Sequence, residues 1–451
     1  MEGVGLTAVD AALAEREREG QPVQVGLVGA GAMGAAIAFQ LLGRASGVRL
    51  AALASRTLAR AEQTVREGGR TAVARATTAR ELQQAVAAGV PAVTADASLL
   101  CRSPQIEVVI EASSDVEFGA QVATQAIAAG KHVVLVNAEL DATVGPILKV
   151  RADHAGVVVT GTDGDEPGVA MNLVRLVRTL GLRPVGAGNL KGFLDRRRTP
   201  AMQRGFAEQH RVSPWLATAA ADGTKLAVEA TILGNATGFR VGRRGMYGPR
   251  CAHVREAAQL FPVDQLLGDG LVDYLLGAEP HTGAFVLAYE EHPIQQRWLR
   301  YLKMGDGPVY VFHTPYHLPH LQVIPTVARA VLLNDATVAP RGGPVCEVVT
   351  IAKQDLDAGE VLDGIGGFAC YGVVDNAPVA RGEGLLPIGV ARGCRLTRAV
   401  RRDEPVAYVD VDLPGGRLVD RLRAEQDSRF GASVVTAVNT DLSTPKQERV
   451  V

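Results

Sequence analysis

A short apolar run, Val23-Gln-Val-Gly-Leu-Val28, leads without a break into Gly29-Ala-Gly31-Ala-Met-Gly34, and the small and apolar stretch Ala35–Leu42 follows at once. Few local signatures restrict a fold as strongly. The run suits a central parallel strand covered on both faces, and the stretch after the loop suits a helix. The first glycine permits a tight turn. The second lets a pyrophosphate approach the backbone, and the third lets the helix pack close to the sheet. The anion then rests on the helix N-terminus, where free N–H groups and the helix dipole favour negative charge. Gly29, Gly31 and Gly34, with Ala32 and Met33 between them, are therefore candidate dinucleotide-binding residues. The plain alternative is a strand-to-helix turn without a ligand.

The neighbouring sequence repeats the rhythm. A helix over 7–19, with Thr7 as a plausible N-cap, precedes the first strand. Val48–Ala54 reads as a second strand, and Ile106–Ala112 and His132–Asn137 as two more, with a helix around Phe118–Gly130 between them. Strands alternating with helices predict right-handed βαβ units and a doubly wound parallel sheet of Rossmann type, an α/β domain over 1–160. Beyond it the alternation is irregular. Val157–Thr160, Ala284–Tyr289 and Val309–His313 look like strands, and Val169–Leu180, Thr224–Gly234 and Val323–Leu333 look like helices. This predicts an α+β domain over 161–344, closed by the turn formers Pro340-Arg-Gly-Gly-Pro344. Short β-type runs punctuated by glycine predict a small all-β domain over 345–415. A polar tail, 416–451, is expected to fray or drape over the surface from about residue 424.

Bulk properties narrow the class. A chain of 451 residues accommodates two to four domains at roughly 100–200 residues each. The formal net charge of −1 excludes a broadly basic surface, so no nucleic-acid partner is expected. Apolar runs are too short to span a bilayer, so no membrane partner is expected either. The N-terminus lacks a basic start followed by an apolar core, and no secretory signal is expected. Five cysteines, Cys101, Cys251, Cys346, Cys370 and Cys394, are widely spaced and contain no C-x-x-C pair. They read as reduced thiols of a cytoplasmic protein.

The end of the second strand bears on the choice of cofactor. An acid there would bond the ribose hydroxyls of NAD. The sequence has Ser55, Arg56 and Thr57 instead. The two hydroxyls can donate to a 2′-phosphate, and Arg56 can pair with it or stack on adenine. NADP is the expected cofactor, with NAD as the alternative and Arg56 as a merely solvated arginine the plain reading. Ser113 and Ser114 after the third strand, and Asn137 and Glu139 after the fourth, are expected along the nicotinamide half of the groove. Glu111 reads equally as a buried structural acid or a cofactor contact.

Several short motifs then carry a resemblance. Gly130-Lys-His-Val-Val-Leu-Val-Asn137 resembles a strand of homoserine dehydrogenases. Asp141-Ala-Thr-Val-Gly-Pro146, Asp163-Gly-Asp-Glu-Pro167, Asp222-Gly-Thr-Lys225, Asn235-Ala-Thr-Gly238, Pro315-Tyr-His-Leu318 and Asp355-Leu-Asp-Ala-Gly-Glu360 follow in order. The whole, over about residues 5–415, resembles homoserine-dehydrogenase-like NAD(P)-dependent oxidoreductases with a C-terminal SAF domain, some of which are similar to reductoisomerases acting on deoxyxylulose phosphate. The resemblance implies that the small β domain is a SAF (β-clip) unit and that the enzyme is a homo-oligomer acting on a small molecule. One departure stands out. Homoserine dehydrogenases carry a lysine directly after the asparagine of the fourth strand, and here Ala138 follows Asn137, which argues against homoserine itself.

Reduction of a carbonyl needs a proton donor near the developing alkoxide. Lys225, at a helix start with Glu229 one turn on and Asp222 as a cap, is the preferred acid/base, on the expectation that burial lowers its pKa toward neutrality, and Asp222 and Glu166 are counted with it as catalytic candidates. Lys191, flanked by Gly188 and Gly192, is the expected substrate-binding lysine. Asp163, Asp165 and Glu166 form a dense acid cluster. It reads as catalytic or substrate-binding groups, as the cap of the next helix, or as ligands of a divalent Mg²⁺ or Mn²⁺ ion. Thr224, Glu229, Tyr316 and His317 are further substrate-site candidates. Arg196-Arg197-Arg198 is either an oxyanion grip or a partly solvated run. The histidines of His313–His320 have ligand-like spacing, but the intervening prolines oppose zinc. Three functional readings result: an NADP-dependent oxidoreductase reducing a small polar carbonyl compound, phosphorylated or amino-acid-like, with a coupled isomerisation as an extension; a redox-neutral enzyme with tightly held NAD(P); and a non-catalytic NADP sensor.

Overall fold

The computed structural model describes residues 8–43 and 45–431. Seven strands form one parallel sheet: β1 (Val23–Val28), β2 (Val48–Ala54), β3 (Ala74–Arg75), β4 (Ala92–Thr94), β5 (Val108–Glu111), β6 (His132–Leu135) and β7 (Val159–Gly161). Their order is β3-β4-β2-β1-β5-β6-β7. The chain leaves β1 toward one edge and returns to β5 on its other side, so the switch point of this doubly wound sheet lies between β1 and β5. Nearly every residue of β1 and β2 is buried, as the all-apolar runs require of central strands.

A second sheet has the order β11-β10-β8-β9, from β8 (Arg183–Lys191), β9 (Leu271–Leu276), β10 (Ala284–Tyr289) and β11 (Val309–Thr314). The pairing of β8 with β9 is parallel, and the other two pairings are antiparallel. Helix Thr224–Thr237 is the spine between this sheet and the rest: all its residues but Lys225 are buried. It is therefore a core helix rather than a surface one.

The segment after 345 pairs β12 (Cys346–Ala352) with β13 (Cys370–Asn376) and β14 (Arg395–Leu396) with β15 (Val411–Asp412). It is not all-β: short helices Ala377–Gly382 and Ile388–Ala391 interrupt it. Its apolar side chains, among them Val348, Val374 and Leu386, belong to one continuous core with Val133 of the first sheet and Leu233 of the spine helix.

The expected tail is also corrected. Leu418–Phe430 is a helix with Val419 and Leu422 buried, and Arg423 forms a buried ion pair with Glu347 at 2.6 Å. Gln426 accepts a hydrogen bond from the Ile147 amide. Two polar side chains, Arg423 and Gln426, thus face inward and anchor a segment whose composition looks solvated. The rest of the predicted tail, from residue 432, and the proposed cap Thr7 lie outside the described residues. Among those described, no helix is long and apolar enough to cross a membrane.

Candidate active site

The glycine loop follows the sequence logic atom by atom. Gly29 has φ +110°, a conformation side chains rarely adopt, and a Cβ there would lie 2.6 Å from the Ala112 carbonyl. A Cβ on Gly34 would lie 2.0 Å from the Gly29 carbonyl, so only glycine lets the helix start this close to the loop. Gly31 faces open space. It is the N-cap of helix Ala32–Leu41 and supplies no side-chain cap, so the first-turn amides are free for an anion. Ala32 is exposed and Met33 half-buried beside it. Ser55, Arg56 and Thr57 stand at the tip of β2, which pairs with β1 up to the loop. The Arg56 and Thr57 side chains are exposed, and the Thr57 amide donates to Ser55 Oγ at 3.3 Å.

At the tip of β5, Glu111 is fully buried and its Oε1 accepts the Ser113 amide at 2.8 Å. Burial pushes its carboxyl up to about 7. It shapes the 112–115 loop from below. Ser113 and the exposed Ser114 line that loop. Asn137 is different from the expectation. Its side chain caps helix Ala138–Ala155 through the Leu140 amide at 3.1 Å, and its Nδ2 donates to the Asp115 carbonyl at 3.3 Å. Both ends of the side chain thus make structural hydrogen bonds.

The acid cluster divides. Asp163 is buried and saturated: it accepts from Asn172 at 2.8 Å, Arg329 at 2.6 Å, Thr326 at 3.0 Å and Thr337 at 2.6 Å. It ties the end of the first sheet to helix Val323–Leu332 and takes no part in the cluster, as a ligand or otherwise. Asp165 and Glu166, beyond the β7 tip, instead turn toward the spine helix. There Lys225 Nζ lies 2.6 Å from Glu229, 3.3 Å from Asp165 and 3.9 Å from Glu166. Asn189 Nδ2 donates to the other Glu229 oxygen at 2.7 Å. Glu139 approaches from the first domain, close enough for the charges of Lys225, Asp165 and Glu229 to act on it.

Electrostatics sort these groups. Burial disfavours the Lys225 ammonium, but the attraction of Asp165, Glu229 and Glu166 exceeds that penalty and holds the amine well above its ordinary value. The expected lowering toward neutrality does not occur, because each face of the ammonium meets a carboxylate. Glu166 goes the other way: burial and then the Glu229 charge raise it well above the carboxylate range. Burial also works against ionised Asp165, yet Lys225 keeps its carboxyl low. Glu166 Oε2 is buried without a hydrogen-bond partner. His317 Nδ1 lies 2.9 Å from Thr282 Oγ1 and 3.5 Å from Glu166 Oε1. Burial, followed by the Lys225 charge, holds its imidazole below the ordinary value and so neutral. The Lys191 charge also acts on His317.

Asp165, Glu166 and Glu229 bring carboxylate oxygens within 4.8 Å of one another, a donor set that suits a hard divalent ion. The Lys225 ammonium also stands within 3.9 Å of all three.

Other expected members lie elsewhere. Gly223 holds the N-cap position of the spine helix, and buried Asp222 just before it accepts the first helical amide, Thr224 N, at 2.9 Å and binds Lys353 at 2.8 Å. Thr224 is fully buried, its hydroxyl accepting the Gly372 amide at 2.8 Å. Both residues fasten the spine to the β-rich segment. Tyr316 is half exposed, at 51%, and has no contact with the cluster among the described hydrogen bonds. Gly188 does not make room for a ligand beside Lys191: a Cβ there would lie 1.6 Å from the Asp273 carbonyl of β9. His313 faces His253 rather than His317. Sequence reading passed over Asn189 and Thr282. Asn189 was within reach, since it stands two residues before Lys191 on one strand and so shares its face. Thr282 comes from a distant turn that no local pattern marks.

A parallel sheet with a glycine loop at its switch point, joined to a second domain that presents a lysine–carboxylate–histidine cluster, defines an NAD(P)-dependent oxidoreductase. Comparison with known families agrees. Residues 29–157 match the NAD-binding domain of homoserine dehydrogenase, and residues 164–323 match the catalytic domain of oxidoreductase DRL. No curated protein matches the chain. Among solved structures, it is similar to apo scyllo-inositol dehydrogenase from Lactobacillus casei, at 12% identity and TM-score 0.40 over 70% of this chain and 89% of that one. A probable dehydrogenase from Thermotoga maritima aligns at 12% identity and TM-score 0.38, covering 71% and 91%. A 3-ketoreductase from Actinomadura kijaniata, in complex with NADP, aligns at 14% identity and TM-score 0.36, covering 71% and 91%.

Proposed function

We propose that the chain is an NADP-dependent reductase of a small polar carbonyl compound. The observation that carries this reading is the Lys225 ammonium enclosed by Asp165, Glu166 and Glu229 on the carboxyl-end side of the cofactor sheet. The bound dinucleotide supplies hydride to the carbonyl carbon. Lys225, a permanent ammonium at neutral pH, donates a hydrogen bond to the carbonyl oxygen and passes it a proton as the alkoxide forms. Glu229, held by Asn189, and ionised Asp165 orient the ammonium. Protonated Glu166, whose Oε2 lacks a partner, restores the proton, and neutral His317 connects Glu166 with solvent. Lys191 holds a polar group of the substrate.

Arg56, Ser55 and Thr57 at the β2 tip support NADP over NAD, because none is an acid that would repel a 2′-phosphate. The cluster acts without a divalent metal, since Lys225 supplies the positive charge. The β-rich segment after 345 is, in this reading, a SAF-type unit that braces the spine helix. Helix Pro293–Tyr301 buries none of its residues and exposes Ile294, Trp298 and Tyr301, which supports assembly as a homo-oligomer. Buried thiols, with Cys346 and Cys370 pushed up to about 12, suit a cytoplasmic enzyme.

The test is Lys225→Met assayed with NADPH and a panel of small aldehydes and ketones. NADPH binding is expected to stay within a few-fold of wild type. Turnover is expected to fall by about 10²–10⁴-fold, the usual worth of a positioned proton donor. Near-normal turnover would refute the role of Lys225, and product formed without net NADPH oxidation would favour a redox-neutral enzyme.

A further inference from the structure

The run Arg196-Arg197-Arg198 looks uniform in sequence, but the fold gives its members different surroundings. Arg197 pairs with Asp403, and Arg198 Nε lies 3.1 Å from Asp195. Arg196 has no carboxylate within salt-bridge distance among the described residues. Its guanidinium lies over the Tyr371 ring, 5.6 Å from the centroid, and it lines a cleft with Leu194, Gly223, Leu226, Met246 and Tyr274. The cleft is small, about 20 Å³ in volume, partly open to solvent, and Asp222 also lines it. Gly245 borders it, and a Cβ there would come within 3.2 Å of an Arg196 nitrogen. Glycine at this position leaves the guanidinium room.

Charge in and around the cleft is unbalanced. Arg196, Arg243 and Arg250 all act on the Tyr274 phenol. Arg243 donates to the Met246 and Tyr247 carbonyls, and neither it nor Arg250 has an ion-pair partner among the described residues. The two nearby acids are occupied. Asp222 is neutralised by Lys353 at 2.8 Å. Asp273 accepts the amides of Tyr247, Gly248 and Tyr274, each at 2.8 Å. Burial keeps Tyr274 a neutral phenol despite the arginines, so it can donate its O–H. A forked guanidinium, further positive charge, a phenol donor and no free carboxylate make up the chemistry that holds an oxyanion.

We propose that this cleft is a second binding site, for a small oxyanion group, phosphate or carboxylate, gripped by Arg196 with Arg243 and Tyr274. It is separate from the catalytic cluster. Leu226 and Ala227 of the spine helix line it, whereas Lys225 and Glu229 lie on the other side of that helix at an i, i+4 spacing.

Calorimetric titration of the full chain, loaded with NADPH, tests this at constant ionic strength. One arm uses inorganic phosphate and the other succinate, which tells a phosphate site from a carboxylate site; saturable binding in either arm supports the proposal. Arg196→Gln is expected to weaken that binding at least tenfold, Arg196→Lys less, while Lys225→Met leaves it unchanged. Should Arg196→Gln fail to fold, Arg243→Gln provides the same reading, again with weakened binding expected. No saturable binding of either anion to wild type, or full affinity in the arginine variants, overturns the proposal. Loss of binding in Lys225→Met also overturns it, by placing the anion at the catalytic cluster. Lys225→Met tests the catalytic role through turnover and this cleft through affinity, so the two can fail independently.

Discussion

Lys353→Met is expected to destabilise the protein severely without touching the chemistry. The Lys353 and Asp222 side chains are 3% and 0% exposed. The ammonium lies 2.8 Å from Asp222, 2.8 Å from the Arg198 carbonyl and 2.7 Å from the Gly367 carbonyl. Methionine fills similar volume but leaves Asp222 as an uncompensated buried charge, a loss of about 3–5 kcal/mol. Two carbonyls lose their donor as well, at a further cost of about 1–3 kcal/mol if water does not reach them. At about 2–4 °C per kcal/mol for a medium-sized domain, the ion-pair loss alone lowers Tm by roughly 6–20 °C. The sign of the pH effect follows from Asp222. Burial already raises its carboxyl, and Lys353 opposes that rise. Without Lys353 the folded-state pKa rises further above the unfolded value. A carboxyl raised on folding favours the folded state in its protonated form, and that advantage is lost as pH climbs through the folded pKa. The penalty of Lys353→Met is therefore smaller at pH 5 than at pH 8. Scanning calorimetry at both values, with Asp222→Asn and the double variant, completes the cycle. The double variant is expected to be more stable than Lys353→Met alone, because the buried charge is gone, and kcat per folded molecule should persist in both. A Tm loss below about 3 °C, or one equal at both pH values, refutes the buried-pair argument. A collapse of kcat in well-folded Asp222→Asn would return Asp222 to the catalytic group.

Arg56→Ala should shift the NADP/NAD ratio of kcat/KM toward NAD by about tenfold, the loss of one charge-assisted contact worth about 1.4 kcal/mol; an unchanged ratio removes Arg56 from the 2′-phosphate site. Gly34→Ala places a methyl 2.0 Å from the Gly29 carbonyl, and NADPH affinity measured by fluorescence titration should drop at least tenfold while Tm changes by only a few degrees. Dialysis against EDTA should leave turnover unaltered, since in the proposed reading Lys225 supplies the positive charge among the carboxylates; a loss restored by Mn²⁺ or Mg²⁺ would show that a metal takes part.

The cofactor half was legible because its constraints are local. A glycine that must take positive φ, a glycine that must touch a carbonyl and the strand before them are contiguous, so Val23–Gly34 states its geometry in order. The acid cluster was only partly legible. Asp163, Asp165 and Glu166 are neighbours in sequence, and the turn before the helix sends Asp163 to Arg329 and the other two to Lys225. No spacing rule separates them, because the partners come from residues 225, 229 and 329. The same holds for Asp222 and Thr224, which adjoin Lys225 in sequence but bind Lys353 and Gly372.

The sequence by itself determined the doubly wound sheet, the dinucleotide loop and the lysine on which the proposed chemistry turns, since each follows from residues within one strand or one helical turn. Only the tertiary structure decided the state of that lysine. Taken alone, burial would have discharged Lys225. Three carboxylates, two from the end of the first sheet and one from the next turn of its own helix, keep it charged, because attraction at these distances in a low-dielectric site exceeds the loss of hydration.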